Sequence, residues 1–275
     1  MFTLNCSGRM LVVDKPLVMG IINVTPDSFF SGSRVSADTA LIQAERMLQD
    51  GAGILDIGGQ STRPGSERVP AEEEISRVVP AIEAILRAYP GTIISIDTYY
   101  AKVAEAAVKA GASIVNDISS GDMDAEMIPT VAQLKVPYIA MHMKGTPDNM
   151  QQDPVYEDVT REVLDYLIKK METCRAAGIN DIILDPGIGF GKTDAHNFEL
   201  IRDLKVLTEL GKPVLLGVSR KGLISRTAGT NAAGALNGTS VLNTIGLMNG
   251  AMILRVHDVK EAVEAVKLVE AVKGS

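Results

Sequence analysis

Asp185-Pro186-Gly187-Ile188-Gly189-Phe190-Gly191-Lys192-Thr193 lies between a short apolar run, Ile182-Ile183-Leu184, and a segment with helical spacing that reaches about residue 210. Strand, loop and helix follow one another here, and that unit decides the fold. Its alternating glycines permit positive φ and a close approach of backbone to a ligand. One reading is a phosphate loop. Aligned on Gly191-Lys192-Thr193, that pattern demands glycine at position 186, and the chain has Pro186. Proline fixes φ and has no N–H to offer a phosphate. What remains is a carboxylate, Asp185, at the end of a buried strand, and a loop carrying the ring of Phe190. That pair suits a flat, hydrogen-bonding ligand better than a triphosphate.

The same unit recurs along the chain. Short β-rich runs are expected at 17–24, 54–58, 92–97, 113–117, 137–142, 181–185, 213–219 and 251–257. Amphipathic helices are expected at 37–50, 71–89, 100–110, 125–134, 155–177, 196–210, a broken 222–249, and 259–272. Several end on glycine, at Gly51, Gly111, Gly178, Gly211 and Gly250. Residues 1–16 read as a hairpin turning at Ser7-Gly8-Arg9. Strand–helix alternation implies parallel strands, because each crossover helix returns the chain to the same edge. Eight such units predict one α/β domain over 1–275, a (β/α)8 TIM barrel with a short N-terminal hairpin. An open doubly wound sheet is the alternative, but Asn23-Val24-Thr25-Pro26 is no dinucleotide fingerprint.

In a barrel the chemistry sits at the C-terminal strand ends. Those ends carry Asn23, Asp56, Asp97, Asn116-Asp117, His142, Asp185, Ser219-Arg220-Lys221 and Arg255-Val256-His257-Asp258. The two-residue strand period puts Asn23, Asp97, Asn116, Asp185 and Arg255 on inward faces. Paired carboxylates fit either a glycosidase or a heterocycle rich in N–H donors. With five Phe, six Tyr and no Trp, stacking of sugars is poorly served, which favours the heterocycle. For Asp97 the bland alternative is a cap on the following helix. Arg255 and His257, with Ser219-Arg220-Lys221, are the cations of the seventh and eighth ends, where barrels often hold phosphate. His196 is expected to cap or pack, and His142 to stand behind the site. Two loops, 25–33 and 58–66, read as candidate lids and bring in Asp27 and Arg63.

A net charge of −7 argues against a nucleic-acid partner. Cys6 and Cys174 stand far apart without metal spacing, so a cytoplasmic home is expected. No apolar run approaches the roughly 20 residues of a membrane span, and no signal-peptide pattern opens the chain.

Taken in order, these ends resemble the dihydropteroate synthase family across nearly the whole chain. The resemblance is carried by 20–29 (GIINVTPDSF), 56–65 (DIGGQSTRPG), Ser95-Ile96-Asp97-Thr98, Asn116-Asp117, Met141-His142-Met143, Asp185 through Lys192, Ser219-Arg220-Lys221 and Arg255-Val256-His257-Asp258. It implies condensation of 6-hydroxymethyl-7,8-dihydropterin diphosphate with 4-aminobenzoate to 7,8-dihydropteroate and pyrophosphate. By resemblance, Asp97, Asn116, Met141, Asp185, Lys221 and Arg255 hold the pterin, and Asn23, Arg255 and His257 hold the diphosphate. Asn23 also reaches Mg2+. Thr62, Arg63, Pro64, Phe190, Lys221 and Gly222 frame the aminobenzoate, and sulfonamides compete there. Catalysis is implied for Asp97, Asp185, Lys221, Arg255, Asp27 and Arg63, by a dissociative route, in a homodimer.

The chain departs from the family pattern in three places. Gly222 replaces a serine near the aminobenzoate carboxylate, Phe30-Ser31-Gly32-Ser33 replaces an acidic residue before paired glycines, and Gln60 stands where glutamate is common. Two rivals share the pattern in part: a methyltetrahydrofolate–corrinoid methyltransferase, and a catalytically silent pterin-binding paralogue.

Overall fold

The computed structural model describes residues 1–24, 33–60, 68–150, 152 and 154–274. The expectations placed on Asp27, Thr62, Arg63 and Pro64, and on most of both candidate lids, lie outside the described residues.

Strands β1 (Phe2–Cys6) and β2 (Arg9–Val13) form the antiparallel hairpin, and its Ser7-Gly8 turn takes positive φ at both residues. The parallel sheet follows from β3 (Leu17–Asn23), β4 (Ile54–Gly58), β5 (Ile94–Asp97), β6 (Ile114–Asp117), β7 (Tyr138–Met141), β8 (Ile182–Asp185), β9 (Leu215–Leu216) and β10 (Ile253–Val256). Its order is β8-β7-β6-β5-β4-β3-β10-β9, and a parallel bridge from Leu184 to Val214 joins the two edges into a barrel. Between strands run α1 (Ser33–Gln49), α2 (Ala71–Ala88), α3 (Ala101–Lys109), α4 (Met127–Leu134), α5 (Val159–Ala177), α6 (Asp194–Arg202), α7 (Lys205–Thr208), α8 (Gly222–Ala228), α9 (Leu236–Met248) and α10 (Val259–Lys273). The TIM barrel and its hairpin are therefore as expected.

Strand parity sorts the core. Leu55, Ile57, Ile96, Val115, Ala140, Leu184 and Leu216 point outward and are buried under the helices. Met19, Ile54, Ile114, Ile139, Ile183, Leu215 and Ile253 pack together inside the barrel. Leu4, Cys6 and Val13 of the hairpin join that interior cluster. Asn5 N–H donates to Asp181 at 2.8 Å just ahead of β8, so the hairpin plugs the N-terminal end of the barrel. Each fully buried Leu or Ile contributes roughly 1.5–3 kcal/mol. Two residues beyond this apolar layer, the same inward faces carry Asp56, Asn116, Asp185 and Arg255. The packed interior thus forms the floor of a polar mouth.

Among the boundaries that differ from expectation, three have a local cause. The seventh strand shrinks to Leu215–Leu216, because Lys221 N–H folds back to Val218 O and Arg220 takes φ +52°. The helix expected over 196–210 splits into α6 and α7 at Asp203, whose carboxylate is bound by the Arg202 guanidinium. The α4 helix begins at Met127, since Asp124 is turned to accept from Ala101 N–H at 2.8 Å. That contact serves the start of α3, the place where Asp97 had its alternative as a cap.

Candidate active site

Arg255 is the hub of the mouth. Its Nε donates to Asp56 Oδ2 at 2.6 Å, and a terminal nitrogen donates to Asp97 Oδ2 at 2.6 Å. Asn116 Nδ2 donates to the same Asp56 oxygen at 3.1 Å, which leaves its amide oxygen to offer a ligand. Asp97 pairs in register with Asn116 on one side and Gly58 on the other. A Cβ on Gly58 would lie 3.7 Å from Asp97 Oδ2 and 3.8 Å from Asn23 Oδ1, so the first, second and third strand ends meet there. The second oxygens of Asp56 and Asp97 are buried and have no hydrogen-bond partner among the described residues. Leaving such acceptors unmet costs roughly 1–3 kcal/mol each, which marks a set built for an incoming donor.

Burial pushes the Asp97 carboxyl up from its ordinary value. Arg255 draws it back, and Asp56, Asp117 and Asp185 reinforce the rise. For Arg255 burial opposes the charge, and Asp56 and Asp97 more than offset that. Asp185 is likewise raised by burial and drawn back by Lys221. Burial lowers Lys221 to about 8, against the pull of Asp185. These groups feel one another's charge across one opening, so the inward parity read from the strands corresponds to convergence in space.

The loop after β8 is fastened by Lys192, not opened by it. Its ammonium reaches His142 Nδ1 at 2.9 Å, and the carbonyls of Gly187 at 2.9 Å, Phe190 at 2.9 Å and His142 at 3.2 Å. Gly187 has φ +67°, and a Cβ there would sit 1.9 Å from His142 O, so only glycine fits. Gly187 N–H in turn donates to Asp185 Oδ1 at 2.7 Å. Burial, then Lys192, lowers His142 to about 2, so this imidazole is a neutral brace behind the site. Phe190 is presented to the mouth with Lys221 Nζ 4.7 Å from its ring centre, and it packs against the small cluster formed by Tyr99, Ile118 and Met141. His196 caps α6 in a reciprocal box with Thr193, as expected.

At the far side Arg220 grips both oxygens of Asp258 at 2.8 Å, and Ser219 Oγ lies 3.0 Å from His257 Nδ1. Arg220 is thus spent on structure. Gly222 opens α8, and a Cβ there would lie 2.6 Å from the Arg226 guanidinium, itself paired with Asp194. Arginine fills the space beside the missing side chain.

The metal expectation rests on Asn23, an exposed neutral oxygen at the rim. Among the described residues no group of three or more His, Cys, Asp or Glu could cage an ion. Magnesium needs no such cage where substrate phosphates and water supply most of its ligands. The donor set fits a bridging ion of that kind.

Asp97, Asn116, Asp185, Lys221, Arg255, Met141, Phe190 and Asn23 all line or border the mouth. Asp56 was read only as a strand end, yet it is fully buried and joins Arg255 to Asn116. Its inward parity with Ile54 was the available signal. Asp117, next to Asn116 in sequence, is saturated by Ser119, Gly121 and Tyr138 and belongs to the scaffold.

The profile of a family described as pterin binding enzyme matches residues 19–257. The chain is 42% identical over 267 residues to the dihydropteroate synthase of Escherichia coli K12, covering 96% of this chain and 94% of that one. It is 46% identical over 263 residues to the Pneumocystis carinii folic acid synthesis protein fol1, where it spans 36% of the longer protein's length. Its fold matches a Yersinia pestis dihydropteroate synthase solved as a sulfonamide drug complex, with TM-score 0.94 and 41% identity over all of both chains. It also matches the Xanthomonas albilineans dihydropteroate synthase in complex with 7,8-dihydropteroate, with TM-score 0.89, 38% identity and full coverage of both.

Proposed function

The chain belongs to the dihydropteroate synthase family of pterin-binding enzymes, and from that premise we propose how its barrel mouth performs the reaction. It transfers a pterinylmethyl group to 4-aminobenzoate in folate synthesis, and sulfonamides compete for the second site. The observation that carries the site assignment is Arg255 held between Asp56 and Asp97, with one oxygen of each carboxylate unmet.

A pterin offers a flat edge of amino and ring N–H donors, which the carboxylates of Asp97 and Asp185 and the Asn116 oxygen accept. Lys221 donates to its carbonyl edge, Arg255 stacks on the ring, and Met141 lines the slot. Asn23, Arg255 and His257 take the diphosphate. The bond from the methylene carbon to the diphosphate oxygen breaks first, and its electron pair leaves with pyrophosphate. The cation left behind delocalises into the ring, where the acidic set stabilises it. The aniline nitrogen then closes the C–N bond and releases a proton to water. Mg2+ at Asn23 would neutralise charge on the diphosphate. Thr62, Arg63, Pro64, Phe190, Lys221 and Gly222 are assigned to the aminobenzoate, and Asp27 and Arg63 to closure over the cation. Arg226 beside Gly222 supplies a cation near the carboxylate that a serine hydroxyl serves in the family.

A homodimer is supported by apolar side chains left exposed at helical spacing: Val241, Ile245 and Met248 on α9, Leu268 and Val272 on α10. A cytoplasmic home is supported by Cys6 and Cys174, both buried and unpaired. Among the described residues no helix is long and apolar enough to cross a membrane.

A coupled assay tests the reading. Pyrophosphate should appear from the pterin diphosphate only when 4-aminobenzoate is present. Methyl transfer to a corrinoid protein without pyrophosphate, or pterin binding without turnover, would replace it with one of the two rivals.

A further inference from the structure

Lys221 enters the mouth along a narrow path. Its side chain lies along Gly189, where a Cβ would come within 3.2 Å of Lys221 Cδ. Its ammonium donates to Ile188 O and stands 4.7 Å from the Phe190 ring centre. That direction is set one residue earlier. Lys221 N–H closes a turn on Val218 O at 3.2 Å, and Arg220, the third residue of the turn, takes φ +52°. Glycine fills such a position at least cost, because a Cβ strains it. The arginine is nevertheless held there by its partners. Its Nε and one terminal nitrogen donate to the two oxygens of Asp258, each at 2.8 Å. The other terminal nitrogen donates to Ala232 O at 2.8 Å and to Ala233 O at 3.0 Å. Its backbone N–H donates to Thr239 Oγ1 at 3.0 Å, and that hydroxyl places its own proton on Ala235 O at 2.9 Å. These partners belong to the turn after β10 and to the start of α9.

The two strand ends joined in this way carry like charges. Lys221 follows β9, Arg255 lies on β10, and the lysine feels the arginine across the mouth. Their repulsion favours a turn that swings Lys221 out to water. The Arg220–Asp258 pair bridges the same two ends, is bidentate and is only partly exposed, the geometry in which an ion pair holds an orientation. We propose that Arg220 is a positioning residue: it pins the turn after β9 to the end of β10 and so keeps Lys221 aimed into the mouth against the charge of Arg255. Its effect on ligand binding rests on the reading of Lys221 as donor to the pterin carbonyl edge, and its effect on the lysine itself does not. A glycine would make the same turn without strain and without the clamp.

Arg220→Gly separates the two contributions, because it relieves the backbone and removes the guanidinium. Among the described residues, the charged groups around Lys221 are Asp185 on β8, Asp97 on β5, Arg255 on β10 and Lys192 in the loop after β8. Burial holds the lysine at about 8, below its ordinary 10.5. On protein carrying lysine labelled with 13C at Cε, the Lys221 signal is assigned by its loss in Lys221→Met. It should titrate at about 8 in the wild type and move up toward 10.5 in Arg220→Gly, as the released ammonium gains water. By calorimetry Arg220→Gly should bind 6-hydroxymethylpterin about tenfold more weakly, the loss of one modest hydrogen bond. Asp258→Asn keeps the arginine and the turn, and should move both readouts the same way, with about a threefold loss of affinity. An arginine of the scaffold alone would change unfolding and neither readout. An unmoved Lys221 midpoint in both variants would overturn the proposal. So would wild-type pterin affinity in Arg220→Gly where Lys221→Met loses it. A moved midpoint with wild-type affinity in both Arg220→Gly and Lys221→Met would overturn the pterin reading of Lys221 and leave the clamp standing.

Discussion

Two buried cations sit within one barrel mouth and do opposite work. Lys192 is surrounded by neutral acceptors, three carbonyl oxygens and the His142 ring, and burial drives its pKa far down. Arg255 is surrounded by carboxylates and keeps its charge. Around Lys192 two acceptors are carbonyls of its own loop and two belong to His142 at the end of β7, so the cation fixes a shape. Around Arg255 each carboxylate retains an unmet oxygen, so the cation holds charge in place for something that arrives. The partners, more than the depth of burial, separate scaffold from machinery.

The largest effect should come from removing the hub. Arg255→Met is expected to lower kcat/KM about a thousandfold, roughly 4 kcal/mol of transition-state stabilisation. Its stability should also acquire a pH slope of known sign. Arg255 holds the raised Asp97 carboxyl down, so its loss lifts that group further. A folded pKa raised above the unfolded one contributes stability below the unfolded value and loses it as pH climbs. Relative to wild type, the variant should therefore weaken from acid toward neutral pH. Steady-state kinetics within tenfold of wild type would remove Arg255 from the machinery.

Lys192→Met probes the other half of the contrast. Several acceptors lose their donor at once, and the expected cost is about 3 kcal/mol in denaturant unfolding. The folded fraction should bind 6-hydroxymethylpterin near normally. If unfolding is unchanged while pterin affinity collapses, the division between the two cations is wrong. Asp185→Asn lies on the machinery side as well. An amide presents one acceptor oxygen where the carboxylate presents two, and pterin affinity should fall roughly thirtyfold, about 2 kcal/mol. Calorimetry giving wild-type affinity would exclude Asp185 from the ring's donors.

The same contrast explains what could be read from the sequence. The order of eight strand–helix units needs only local periodicity, and Ile183 with Asp185 or Ile253 with Arg255 declares an inward face two residues at a time. The shortened β9 depends on the turn at Arg220, where a left-handed φ in a non-glycine residue leaves no local signal. Lys192 follows Gly191 in a loop that Pro186 already bars from holding phosphate, and only its four partners reveal a brace. Asp56 could not be ranked above Asp117 by pattern, since both are acids at strand ends. What separates them is tertiary: Asp117 is saturated by hydrogen bonds within β6, its following turn and β7, whereas Asp56 meets a guanidinium 199 residues away.

Glu74 sharpens the rule at the smallest scale. It is fully buried on α2 behind β4, and its Oε2 accepts from Gln60 Nε2 at 2.7 Å, while Gln60 Oε1 accepts from Tyr99 OH at 2.8 Å. Burial first, then Asp97, raises this carboxyl to about 8 from an ordinary 4.5. With a neutral amide as its neighbour it belongs with Lys192 on the scaffold side. The group favours the folded state while protonated, so its contribution is complete below about pH 4.5 and is withdrawn as pH rises toward 8. Glu74→Gln keeps an acceptor for Gln60 and cannot ionise. The variant and wild type should have similar stability near pH 4, and by about pH 6 the variant should be ahead by about 2 kcal/mol. Turnover should change less than about threefold, because a scaffold carboxylate touches no reacting atom. Urea unfolding across that range decides it: a constant difference between the two proteins would mean that Glu74 stays ionised in the fold, and that a neutral partner does not mark a structural charge.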